Sequence, residues 1–177
     1  MKSFATAVLA LAVLCCAGLA RAQDDIYAGV SYGLVTYQQE GLPSARPQSL
    51  AFKAGRELHP NLAVEVRAGF GVGDDTVSVA GTPVDFQIDH FAGVYGKGIL
   101  PLAEAFSVYG LVGLVAGKVT ARGFGYSASS SDTSFSLGLG IDLAFSRHSV
   151  LNVEWSELFQ GTGYTVEAAS LGYTYKY

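Results

Sequence analysis

The last eight residues, Ser170 to Tyr177, read SLGYTYKY and alternate up to the final position. Leu171, Tyr173, Tyr175 and Tyr177 share one parity, and Ser170, Gly172, Thr174 and Lys176 share the other. Successive side chains of a β-strand point to opposite faces, so this tail reads as a strand with one oily face and one small or polar face. Chain ends fray unless they are tied down. A strand that keeps its pattern to the terminus needs a neighbour on both edges, and a closed sheet supplies both.

The same period of two runs back along the chain, with no sustained period of 3.6. Ile26, Ala28, Val30, Tyr32 and Leu34 alternate with Gly29, Ser31 and Gly33. Phe135, Leu137, Leu139, Ile141, Leu143 and Phe145 alternate with Ser136, Gly138, Gly140, Asp142 and Ala144. Leu62, Val64, Val66 and Phe70 stand opposite Glu65, Arg67, Gly69 and Gly71. The pattern predicts eight strands, at about 26–37, 49–58, 61–73, 84–100, 105–122, 133–146, 149–158 and 165–177. In the fifth, Val108, Val112 and Leu114 oppose Tyr109, Leu111 and Val115, so both faces are apolar and parity does not fix its register. Tight links at His59-Pro60-Asn61, around Leu102 to Ala105 and at Ser146-Arg147-His148 alternate with longer polar ones at 38–48, 74–83, 123–132 and 159–164. Short turns on one side and long loops on the other are the signature of an all-β, eight-stranded antiparallel up-and-down transmembrane β-barrel.

Alternation alone also allows a soluble barrel with its oily face turned inward around a ligand. Three features decide against it. Charged residues sit mid-strand, where facing lipid would cost roughly 2–4 kcal/mol, so they belong in a polar lumen. The small face is rich in glycine, which an apolar ligand cavity does not need. Tyr27, Phe145, Trp155, Tyr173, Tyr175 and Tyr177 fall near strand ends, where interfacial aromatic girdles form.

Export fits this reading. Lys2 precedes an apolar run from Phe4 to Leu19, and Ala20-Arg21-Ala22 is an A-x-A cleavage site. Residues 1–22 therefore read as a cleaved signal peptide and 23–177 as the barrel, placed in the cell outer membrane of a Gram-negative-type envelope. Both cysteines, Cys15 and Cys16, lie in the leader, which excludes disulfides from the mature chain. The chain carries 22 Gly, 10 Tyr and 10 Phe, and its formal net charge is −4. An acidic balance argues against nucleic acid as a partner.

The tail SLGYTYKY, HPNLAVEV, KGILPL leading to VYGLVGL, and GIDLAFSRHSVLNVEW together resemble the small outer-membrane β-barrels of the OmpA transmembrane-domain and OmpX type, porin-family or opacity-related surface proteins. The resemblance covers essentially Gln23 to Tyr177. It implies that Leu171, Tyr173, Tyr175 and Tyr177 form the signal read by the outer-membrane insertion machinery, and that outer-membrane lipid and lipopolysaccharide surround the barrel. It also implies a lumen ion-pair network. Glu65 matches an inward carboxylate, Lys97 its inward basic partner, and Asp142 and Glu154 two further inward acids. The sequence departs from the family pattern at Asn152 and Leu111, where basic residues are expected, and those losses leave the acids short of partners. Arg67, inward by parity, is the available substitute.

The group Glu65, Arg67, Lys97, Asp142 and Glu154 reads either as a satisfied plug, since buried charges must be paired, or as the path of a narrow, low-conductance channel. Some eight-stranded barrels modify lipid A, and that chemistry needs a serine beside an oriented base. His148 and Ser149 are adjacent and so point to opposite faces, His59 lies in a turn, and His90 has Asp89 but no serine beside it. No metal-ligand spacing, phosphate loop or nucleotide motif occurs, so no cofactor and no enzyme activity is expected. The Tyr- and Ser-rich stretch 123–132, with the other long loops, is the candidate surface for a host or surface ligand.

Overall fold

The computed structural model describes residues 25–39, 44–73, 75–79, 82–123, 126–161 and 164–177. The leader and its cleavage site lie outside these residues. The strands are β1 (Ile26–Gln39), β2 (Gln48–His59), β3 (Leu62–Gly73), β4 (Asp75–Val79), β5 (Thr82–Ala103), β6 (Phe106–Gly123), β7 (Tyr126–Ala144), β8 (Ser149–Gly161) and β9 (Tyr164–Lys176). Their order is β3-β2-β1-β9-β8-β7-β6-β5-β4, and a further pairing of β3 with β5 closes the sheet. Eight strands are therefore the staves of a closed antiparallel barrel. The short β4 pairs only with the start of β5, from Asp75↔Phe86 to Val79↔Thr82, on the edge of β5 that β3 occupies lower down, so it extends the β3 stave and adds no ninth one.

Closure runs through the tail. β9 pairs with β8 on one edge, from Ser149↔Tyr175 upward, and with β1 on the other, from Tyr27↔Lys176 to Gln39↔Tyr164. Tyr177 N donates to Ile26 O at 3.0 Å, so pairing continues to the last residue. Closure leaves none of the eight staves as an edge strand, whose unpaired amides would be costly in lipid.

The oily face is the outer one. Phe52, Leu114, Phe135, Leu139, Leu171 and Tyr177 are exposed outward, while Ser49, Lys53, Glu65, Lys97, Asn152, Glu154 and Thr174 are buried inside. The register of β6 is resolved with Tyr109, Leu111 and Val115 inward and Val112 and Leu114 outward. Pro101, which cannot donate to a ladder, sits at the irregularity between Pro101 and Ala103.

Three predicted loops are shorter than the sequence suggests: 159–164, since β8 runs to Gly161 and β9 begins at Tyr164, and the two at 74–83 and 123–132. Residues 75–79 form β4, and the Ser-rich stretch is strand from Tyr126 onward, paired with β6 through Lys118↔Ser131, Thr120↔Ser129 and Arg122↔Ser127. Beyond the membrane both faces of a hairpin are wet, so hydrophobic alternation fades while backbone pairing continues. The long hairpins lie at one end and the tight turns at the other, which is the periplasmic end in barrels of this kind.

Candidate functional site

Above the periplasmic turns, the lumen holds a polar layer to which every stave contributes. Arg67 on β3 is its hub. Its Nε donates to Glu65 Oε1 at 2.5 Å, and Nη1 and Nη2 donate to Glu154 Oε1 and Oε2 at 2.5 and 2.8 Å, a two-pronged clamp from β3 to β8. Its guanidinium lies 5.0 Å from the Tyr95 ring centroid. Tyr27 Oη donates to Glu65 Oε2 at 2.9 Å, and Tyr109 Oη to Glu154 Oε2 at 2.8 Å. Lys97 Nζ donates to Asp142 Oδ2 at 2.8 Å and sits 3.8 Å from the Tyr109 ring centroid. Asn152 completes the layer: its Nδ2 donates to Asp142 Oδ1, and its Oδ1 accepts from Lys53 Nζ at 2.8 Å and Thr174 Oγ1 at 2.7 Å.

All five charges anticipated from the sequence are in this layer, with one partner exchanged. Lys97 does not pair with Glu65. Register places Lys97 beside Ala63 and Glu65 beside Tyr95, one row higher, so Asp142 takes the ammonium and Arg67 takes Glu65. Nor are the acids short of partners. Lys53, inward by the parity of Ser49 and Ala51, adds a third cation and makes the layer three against three; the alternation of β2 carried that signal. Asn152, standing where the resemblance expects a basic residue, links Lys53 to Asp142 through its amide. Leu111, the other departure, packs with Tyr95 and Tyr109. Tyr27 is not a girdle residue, because it is buried in the lumen beside Glu65.

Two glycines make room for the rings. Tyr27 lies over its cross-strand partner Gly55 and Tyr109 over Gly140, each occupying the space where a Cβ would stand. The missing side chains are thus part of how the phenols reach their carboxylates.

Toward the extracellular side the lumen is apolar instead of polar. Val35, Ala51, Ile88, Phe91, Val115, Leu158, Val166 and Ala168 form a packed cluster, with Tyr37 against it. The Phe91 ring fills the space over Gly69, its partner on β3. Strand parity predicts a polar lumen throughout. This layer escaped it because its members come from six strands and make no local run. On the periplasmic side a vestibule of about 470 Å³ opens, lined by Glu57, His59, Phe106, Asp142 and Lys176 among others. Lys176 Nζ donates to Glu57 Oε1 there at 2.6 Å.

The histidines stand outside the polar layer. His148 stacks on Tyr175 with ring centroids 5.8 Å apart, and Ser149 Oγ is 2.9 Å from Tyr173 Oη, so the two do not form a nucleophile–base pair. His59 Nδ1 accepts from Asn61 N at 3.3 Å in its turn, and His90 is exposed. Tyr175 meets Tyr177 edge-on at 5.2 Å and Phe145 lies 6.2 Å from Tyr173, which makes an aromatic rim at the periplasmic end. Among the described residues, no group of three or more His, Cys, Asp or Glu side chains is arranged to hold a metal ion. On the hairpins above the membrane, Thr120 hydrogen-bonds Asp89 at 2.9 Å and Lys118 approaches it at 3.5 Å, which lowers the Asp89 carboxyl below the usual range.

Residues 6–177 match the family described as outer membrane protein β-barrel domain. The chain belongs to that family. Among solved structures, this outer-membrane barrel is similar to Ail, the attachment invasion locus protein of Yersinia pestis, at 19% identity and a TM-score of 0.65, over 88% of this chain and 100% of that one. It is also similar to neisserial surface protein A, at 15% identity and a TM-score of 0.65, over 86% and 97% of the two chains. The N-terminal barrel of Pseudomonas aeruginosa OprF superposes at 11% identity and a TM-score of 0.59, over 84% and 97%. At these identities the likeness is one of fold. No curated protein matches the sequence.

Proposed function

We propose that this outer-membrane barrel is non-enzymatic, that its lumen is a plug, and that it acts through the strands and loops it carries outside the membrane. One observation carries the reading: two stacked layers fill the lumen, an ion-paired one toward the periplasm and an apolar one toward the exterior. A hydrated path would have to cross both. Buried charges that are ion-paired, or hydrogen-bonded as Lys53 is to Asn152, hold a wall together more readily than they conduct. The exposed material is instead concentrated in the hairpins β4–β5 and β6–β7, where binding residues of rigid scaffolds usually lie. Ail has been crystallised with the heparin analogue sucrose octasulfate, which supports a surface ligand for a barrel of this shape. Lipopolysaccharide and phospholipid around the wall, export by a cleaved leader, and delivery by the insertion machinery through Leu171, Tyr173, Tyr175 and Tyr177 belong to the same proposal.

Replacing residues 118–131 by Asn-Gly cuts the β6–β7 hairpin back to the pair Gly117↔Asp132 while keeping register. Cells displaying the cut-back barrel should lose adhesion to host cell surfaces, while the refolded protein keeps its heat-dependent mobility. Planar-bilayer recording of the unaltered protein should show no conductance steps. Adhesion unaffected by the cut, together with steps in the recording, would move the reading to the narrow channel.

A further inference from the structure

Arg56 faces the bilayer. On β2 the side chains of Ser49, Ala51 and Lys53 turn inward, so those of Phe52, Arg56 and Leu58 turn outward, and Phe52 and Leu58 are more than half exposed. Across the ladders Arg56 stands between Ile26 of β1 and Val64 of β3, two apolar neighbours. Its Nε is buried and has no hydrogen-bond partner. The other partly buried cations of the described residues, Lys53, Arg67, Lys97, Lys118 and Lys176, each have one. Glu57, next in sequence, points to the other face and is taken by Lys176.

We propose that Arg56 is a binding site for the phosphate of a phospholipid headgroup in the periplasmic leaflet. Depth supports it. Arg56 precedes the His59 end of the strand by three residues, roughly 8 Å along a strand tilted about 40°. That is the border of the apolar band, marked two staves away on β9 by Tyr175 and by Tyr177, which bonds Ile26 across from Arg56; there the aliphatic stem of an arginine can lie on hydrocarbon and its head reach polar groups. Chemistry supports it too. The guanidinium has no acid partner among the described residues, its Nε alone is shut off by the wall, and a phosphodiester offers the paired oxygens that the Nη groups of a guanidinium fork engage. The inference rests on the barrel's orientation in the membrane and not on the proposed adhesive role.

The test uses the full barrel with ¹³C at the arginine Cζ positions, refolded into phosphatidylcholine vesicles, and reads ¹³C–³¹P dipolar dephasing by solid-state NMR. One guanidinium signal should dephase and vanish in Arg56→Gln. It should not dephase in a phosphate-free maltoside detergent to which inorganic phosphate is added. In parallel, Arg56→Gln should unfold roughly tenfold faster than the unaltered chain in vesicles but at the same rate in maltoside, and Arg56→Lys should restore part of the difference. Dephasing by inorganic phosphate would make this a free-anion site and overturn the headgroup assignment. Absence of dephasing, or an equal change of rate in both media, would mean that Arg56 meets water or protein alone, and the proposal would fall.

Discussion

Arg67→Met tests the polar layer at its hub. The substitution keeps a side chain of similar length but removes three charge-assisted hydrogen bonds, one to Glu65 and two to Glu154. It leaves two carboxylates whose side chains are 0% and 4% exposed. The layer then holds three anions against two cations. Removing one partner of a buried pair costs about 3–5 kcal/mol, because the survivor stays buried without compensation. With a urea dependence of about 2 kcal/mol/M, the unfolding midpoint in vesicles should fall by roughly 2 M. Arg67→Met combined with Glu154→Gln restores charge balance, and its amide oxygen can still accept from Tyr109. It should recover about half of the loss, a non-additivity expected of groups in one network. Neither variant should conduct, since the apolar layer around Phe91 is untouched. A loss below about 1 kcal/mol, or additive losses in the double variant, would refute the account of Arg67 as the hub. Conductance in Arg67→Met alone would refute the separate seal.

Lys97→Ala should likewise lower urea stability, by freeing Asp142, without producing steps in planar bilayers; adding Phe91→Ala, which opens the upper layer, should produce them. Gly140→Ala sets a methyl against the Tyr109 ring and should break its bond to Glu154, at a cost of about 1–3 kcal/mol in the same unfolding assay; a variant as stable as the parent would mean that the ring moves freely. Deleting Tyr175 to Tyr177 removes pairing to both β8 and β1, so the chain should be recovered from the periplasm by fractionation; normal amounts in the outer membrane would show that closure does not depend on the tail.

The eight staves, the outward oily face and closure through Tyr177 were legible in the sequence, because lipid imposes one rule that can be read two residues at a time. A side chain on the wrong parity meets either hydrocarbon or the lumen, so the period alone sorts Leu171 from Gly172 and Phe135 from Ser136. That rule weakens where both faces meet the same medium, and there the reading ran short: at the wet upper hairpin Tyr126–Ser131, and in β6, where Leu111 and Val112 are both apolar. The inward charges were found, but not their pairing. Lys97 meets Asp142 instead of Glu65, and Lys53 joins the layer through Asn152, because strand register and barrel curvature bring together residues far apart in sequence. The apolar seal of Val35, Phe91, Val115 and Leu158 is likewise a product of closure. Each of six strands lends it one or two side chains, and only when the sheet curls on itself do they touch.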